Sequence, residues 1–327
     1  MKQRRVLKHL TLYILIFLHV AILLAGFLGP YDPTEQNRDH ALEPPMGIHL
    51  FDTSGSFHLR PFVSVGSTMF PIRFFADAAP YRLFGLWTFR THLFGVDEPE
   101  RVFLLGTDEY GRDQLSRILW GGQISLLTGW LAALLSLSLG LMLGLIAGFF
   151  GGWRDAVIMR AVELFLALPW LYLLLAVRAF LPLSLSPQAA ALALAAVIGV
   201  VGWARPARLV RGIVLSAKER DFVHAARGFG ASVWHLLRQH CLPETYSVLA
   251  IQATVLLPQF ILAEVTLSFV GLGVSQPAAS WGSLLAPMRQ ISMLSSSWWM
   301  AAPALLVMVT TWCFLTLEDR LVNDDGR

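Results

Sequence analysis

The sequence predicts an all-α polytopic membrane protein. Six transmembrane helices are expected, with a long extracytoplasmic loop between spans 1 and 2 and a helical cytoplasmic loop between spans 4 and 5. Three observations carry this. The 327 residues are 55% hydrophobic and only 14% charged, against roughly 25% charged in soluble domains. The charges are clumped, so Leu10 to Gly29, Ile118 to Phe150, Ala179 to Ala204, Thr245 to Ala263 and Gln290 to Leu317 carry none. Finally, lysine and arginine are spread unevenly between the connecting segments, which sets an orientation.

Taken in order, residues 1–29 form a basic tail and a first anchor. Lys2, Arg4, Arg5 and Lys8 precede an apolar run of about 20 residues, the length a bilayer-crossing helix needs. That run is too long for a signal-peptide core, and GFLGPYDP offers no small-x-small cleavage site, so an uncleaved anchor is expected. Residues 30–117 hold eight arginines against twelve acids and are placed outside. Within them, HLFDTSGSFHLRPFVSVG reads as a β-hairpin turning at Ser54-Gly55. Residues 118–317 form the transmembrane core. Val157 to Pro182 is its third span, with Arg160, Glu163 and Arg178 near the ends. The loop 203–247 holds seven basic residues against Glu219, Asp221 and Glu244, so it returns to the basic, cytoplasmic side, as does the tail 318–327. Both termini are then cytoplasmic in a multi-pass inner membrane protein.

Catalytic and metal chemistry are not indicated. There is no HExxH, GxSxG or GxxxxGK[ST], so no catalytic residue and no nucleotide site is assigned. His49 and His58 lack ligand spacing and read as surface residues, and His19 as a packed or interfacial side chain in the first span. Cys241 and Cys313 fall in a loop and a span, which argues against a disulfide and against a metal site. The formal charge of +3 is accounted for by cytoplasmic arginines, leaving no case for nucleic-acid binding. Glu163 and Glu264 are placed near helix ends rather than at the midplane, where a proton-coupled carrier keeps its ionisable groups. Trp120, Trp153, Trp203, Trp298 and Trp299 read as interface anchors.

The loop 203–247 has a feature that lipid contact leaves unexplained. Ala225-Ala226 and Gly230 give a small-sided segment among arginines. Gly230 either caps a helix or lets a partner backbone approach, and the residues alone leave both open. The pattern Ala225, Ala226, Gly230, His240, Leu242, Pro243 resembles the signature loop of permeases in binding-protein-dependent ABC importers. GTDEYGRDQLSRILWGG (106–122), ILAEVTLSFVGLGV (261–274) and PAASWGSLL (277–285) resemble the dipeptide/oligopeptide/nickel branch. The resemblance runs from about Gly106 to about Pro303.

It implies that Ala225, Ala226, Gly230, Leu242 and Pro243 belong to a coupling helix docking on a cytoplasmic ATPase. It further implies a second homologous permease, two ATP-binding subunits that hold ATP and Mg, and an extracytoplasmic solute-binding protein. The cargo would be di- or oligopeptides; nickel or another small solute is the alternative within the same architecture, and a non-ABC secondary carrier the alternative outside it. The sequence departs from the family pattern at His224, where an acid often stands, at Gln123, in the final tail, and in a loop lengthened over roughly residues 45 to 95.

Overall fold

A computed structural model describes residues 2–52, 56–65, 68–83, 85–97, 100–179, 182 and 185–325. Helix α1 covers Lys2–Leu23 and runs almost directly into α2, Ala25–Leu28. Five strands follow: β1 Ile48–Phe51, β2 Phe57–Val65, β3 Thr68–Pro71, β4 Arg73–Leu83 and β5 Trp87–Gly95. The rest is helical, with α3 at Gln114–Phe150, α4 at Gly152–Ala167, α5 at Trp170–Ala179, α6 at Pro187–Gly202 and α7 at Ala204–Lys218. The loop helices are α8, Asp221–Gly228, α9, Val233–Leu236, and α10, Leu242–Glu244, the last two joined by a π turn. Then come α11, Tyr246–Val270, α12, Trp281–Leu285, α13, Ile291–Ser296, and α14, Ala302–Asp325.

The five strands correct the all-α expectation. Residues 48–95 are rich in Phe and Thr, which suit half-buried pleated surfaces. β1, β2 and β3 form an antiparallel sheet in that order, with Ile48 opposite Val63 and Val63 opposite Phe70. The Ser54-Gly55 turn lies outside the described residues, but the strands flanking it pair. β4 and β5 form a separate hairpin.

Contacts divide the chain into two compact units. One comprises residues 1–13, 126–267 and 310–327, and its core is helix on helix. Val162, Trp203, Ala204 and Ala207 form one buried cluster there, and Val210, Val214, Ala217 and Cys241 another. The second unit comprises residues 14–125 and 268–309. Its cores are Val63, Ile72 and Val102 under the strands, and Ile118, Ala279 and Leu284 beside the start of α3.

Among the described residues, three helices are long and apolar enough to cross a membrane: Gln114–Phe150, Tyr246–Val270 and Trp298–Leu321. Two further pairs pass the same test only together, α4 with α5, bent by 95°, and α6 with α7, bent by 43°. Leu10–Leu23 is a shorter apolar helix. The third expected span is therefore not one straight rod. Pro169 has no N–H to donate and forces Leu168 out of the helical region (ψ 138°), so α4 stops and α5 restarts at a right angle. Two tryptophans also depart from the anchor reading. Trp203 is buried in the α4–α7 core, and buried Trp299 donates from Nε1 to the Thr107 carbonyl at 3.0 Å.

Candidate functional site

In the first unit, α7 delivers the basic loop. Its packing against α3 is close because Gly140, Gly144 and Gly148 recur every fourth residue. A Cβ at these positions would stand 2.5–2.8 Å from Pro206, Ala207, Val210 or Val214. Small residues at such spacing let two helix backbones approach. Arg211 of α7 makes a bidentate pair with Asp155 at 2.5 Å for both bonds.

Residues 225–243 do not form one helix. α8 ends at Gly228, and Gly230 follows with φ +85°. The Gly230 N–H bonds the Arg227 carbonyl, and the Ala231 N–H the Ala226 carbonyl, each at 3.0 Å. This pair of bonds is a Schellman cap, with glycine at the left-handed position. A Cβ there would meet nothing within 4 Å. Backbone conformation thus accounts for Gly230, the capping one of its two readings. Ser232 then caps α9 by accepting from His235 N at 3.2 Å.

The five signature residues sit along this turn and the stretch after it. Ala225, Gly230 and Pro243 are exposed, while Ala226 and Leu242 are half-buried. Arg220 pairs with Glu244 through bonds of 2.8 and 3.2 Å, closing the segment. As a half-exposed pair it contributes about 0–1 kcal/mol. His224 lies 3.6 Å from Glu219. The sequence reading overlooked the largest feature here, since Phe222, Phe229, Val233 and Trp234 are 46%, 93%, 46% and 71% exposed. Aromatic residues flanking a glycine cap in a charged loop were the available signal.

A cavity of about 570 Å³ lies in the same unit. Phe165, Trp170 and Phe260 supply aromatic walls, and Arg205, Gln259 and Thr266 its polar side chains. Leu166 and Leu168 at the α4–α5 break also line it. Non-helical backbone at membrane depth is tolerated where it faces a cavity. Glu264 is fully buried, whereas Glu163 is exposed and paired with Arg160 at 2.9 Å.

In the second unit the 106–122 and 277–285 stretches meet. Asp108 Oδ1 accepts from the Tyr110 and Arg112 N–H groups at 2.8 and 3.1 Å, and Oδ2 from Arg112 Nε at 2.7 Å. Arg117 Nε stands 3.3 Å from the same oxygen. Gly111 has φ +71°, and a Cβ there would fall 1.6 Å from the Asn37 carbonyl oxygen. Asp113 caps α3 by accepting from Ser116 N at 2.8 Å. Burial pushes its carboxyl up to about 6, against the lowering effect of the Ser116 bonds. Trp281 donates from Nε1 to the Ile118 carbonyl at 3.1 Å, and its N–H bonds Ser125 Oγ at 3.1 Å. Among the described residues, Cys241 and Cys313 are free, and no group of three or more His, Cys, Asp and Glu forms a metal site.

Apolar helices of membrane-crossing length, two bent helix pairs, a cavity at one break and a capped basic loop together fit a transport subunit of the membrane. Residues 140–323 match the model of the binding-protein-dependent transport system inner membrane component, and the chain belongs to that family. It is similar to the dipeptide transport system permease protein DppC of Bacillus subtilis (strain 168), 37% identical over 68% of each chain. It is also similar to the oligopeptide transport system permease protein OppC of Escherichia coli (strain K12), 40% identical over 66% of this chain and 69% of that one. The probable D,D-dipeptide transport system permease protein DdpC of the same strain is 37% identical over 65% of this chain and 69% of that one.

Proposed function

We propose that this chain is one permease of an ATP-driven importer for di- or oligopeptides, and that the exposed face of α8 and α9 docks on the ATPase. The family membership and the peptide permeases among its relatives support the first part. Phe222, Phe229 and Trp234 support the second, because exposed aromatics gathered within one charged loop favour an interaction site. A second permease completes the passage, two ATP-binding subunits hold ATP and Mg, and an extracytoplasmic binding protein delivers the solute. The passage has six spans, with α4–α5 and α6–α7 as bent ones, and both termini are cytoplasmic. The β1–β2 hairpin, with Leu59 88% exposed, packs on the second permease or the binding protein.

The cavity suits peptides of varied sequence. Its walls are apolar and aromatic, Gln259 and Thr266 can bond a peptide backbone, and Arg205 offers a cation for a terminal carboxylate. Its described lining contains no imidazole, thiolate or carboxylate, the ligands a nickel ion seeks.

Replacing Phe229 and Trp234 together by glutamate tests the docking. Both side chains are mostly in water, so the subunit should accumulate normally. Capture of the ATPase on the tagged permease should fall at least about tenfold, the equivalent of about 1.4 kcal/mol, and peptide uptake should fall with it. Parental capture and uptake in that variant would reject the docking surface.

A further inference from the structure

We propose that the distal half of the β4–β5 hairpin lies on the bilayer surface, at the end of the first span away from the N-terminus. The inference needs only that the first span crosses the bilayer; neither the importer reading nor the orientation enters it.

The level of the hairpin is set at its root. The apolar stretch from Leu10 to Leu28, carried by α1 and α2, is about 28 Å long at about 1.5 Å per residue. That matches a hydrocarbon layer of about 30 Å, so Gly26 and Gly29 come at its edge. The hairpin is fastened there. Buried His92 has Nδ1 2.7 Å from the Gly29 carbonyl oxygen and Nε2 2.9 Å from that of Ala79, tying the helix end to β4. The Tyr81 ring fills the space over Gly26, where even a Cβ would come within 2.2 Å of it. The Phe27 and Phe75 ring centroids are 6.2 Å apart.

Beyond this root the hairpin is amphipathic. Tyr81 faces Phe89 across the strands and Leu83 faces Trp87, while the alternate pair is Arg82 with Thr88. Opposed residues share a face of an antiparallel pair, and alternation puts Arg90 with Arg82. One face is thus Tyr, Leu, Trp and Phe, and the other Arg, Thr and Arg. Leu86, Trp87 and Phe89 are exposed by 73%, 58% and 45%. A two-stranded hairpin is marginal in water, and among the described residues β4 and β5 pair only with each other, so a cover over the exposed apolar face would stabilise the half beyond the root.

A bilayer surface fits that face on three counts. Tyrosine and tryptophan favour the headgroup layer, and arginines on the far face meet lipid phosphates. The headgroup layer is about 5–7 Å deep on each side, enough to take one layer of side chains. The hairpin's root also follows directly on lipid-facing helix, since Ile16, Phe17, Val20 and Leu23 are exposed along the end of α1 that leads into it.

Spin labels decide the matter. In the full-length chain, with Cys241→Ser and Cys313→Ala, single cysteines at Trp87, Thr88, Phe89 and Arg90 would carry a nitroxide. The protein would be placed in phosphatidylethanolamine–phosphatidylglycerol vesicles, and collisions with dissolved oxygen and a water-soluble nickel chelate measured. Labels at 87 and 89 should favour oxygen several-fold over labels at 88 and 90, an alternation that also shows the hairpin is formed. High nickel access at all four positions would put the hairpin in water. Low access to both reagents at 87 and 89 would mean a protein covers the face. Either result, or the loss of alternation, overturns the proposal.

Discussion

At single residues, two positions carry measurable consequences. Asp113 is buried, and its Oδ1 has no hydrogen-bond partner among the described residues, so the neutral acid suits the site better than the carboxylate. Its folded-state pKa of about 6 against 3.8 means the folded protein keeps a proton that the unfolded chain releases. The stability this gives is complete below the unfolded value and is lost as the pH rises through about 6. The size is on the order of 3 kcal/mol. Asparagine can still accept from Ser116 N but cannot ionise. Asp113→Asn should therefore unfold at a higher temperature than the parent above about pH 6, with the two converging towards about pH 4. Parallel thermal profiles across that range would refute this. Gly230 is the second position. With open space around its Cβ, a side chain meets no clash and the cost is backbone strain alone, roughly 1–2 kcal/mol for an L residue. Hydrogen exchange at the Gly230 and Ala231 amides should be slowest in the parent, little changed in Gly230→Asn, which tolerates this region, and fastest in Gly230→Val. Equal protection in all three would remove the cap from the explanation.

At the level of elements, legibility followed the strength of the hydrophobic pattern. The charge-free stretches located α3, α11 and α14, and the arginine-studded run after Trp203 located α7. The break at Leu168-Pro169 was visible as a proline but was absorbed into a single apolar stretch, because hydropathy counts residues and is blind to direction. The strands after β2 were missed since β3, β4 and β5 lack one uniform alternation; β4 carries an irregularity between Asp77 and Tyr81. At the candidate site, the five signature residues were read from a resemblance, whereas the exposed aromatics came only from the structure. The glycines of α3 were legible and overlooked. Gly140, Gly144 and Gly148 form a small-residue ridge, and a Cβ at Gly144 would lie 2.7 Å from the Ala207 carbonyl oxygen. That neighbour is backbone and cannot swing aside. Gly144→Leu should therefore push α7 off α3 at about 1–3 kcal/mol, read as a lower unfolding temperature. Gly212, whose Cβ position is open, is the control, and Gly212→Ala should cost nothing measurable. Equal effects of the two would refute the ridge.

For the whole molecule, the 95° bend between α4 and α5 is the decisive question. At about 1.5 Å per residue, the 16 residues of α4 and the 10 of α5 reach about 24 and 15 Å, so neither crosses about 30 Å of hydrocarbon alone. Together they either cross as one broken span or return to the side they entered. The charges choose between these. The N-terminal tail has four basic residues and no acid, and the loop 203–247 has seven basic residues against three acids. Basic segments gather on the cytoplasmic side, so an even number of crossings must separate them. α1, α3, α4–α5 and α6–α7 make four; a re-entrant α4–α5 would leave three and place the arginine-rich loop outside. Two exposed positions report the outcome. Leu59 lies one crossing after the N-terminus and is 88% exposed, and Phe229 lies in the basic loop and is 93% exposed. With the native cysteines replaced and the chain produced without its partner subunits, Leu59→Cys should react with a membrane-impermeant maleimide in spheroplasts, and Phe229→Cys only after the membrane is opened. Both residues reacting from outside would make the bent pair re-entrant. Labelling of Phe229→Cys alone from outside would invert the orientation while keeping the crossing count.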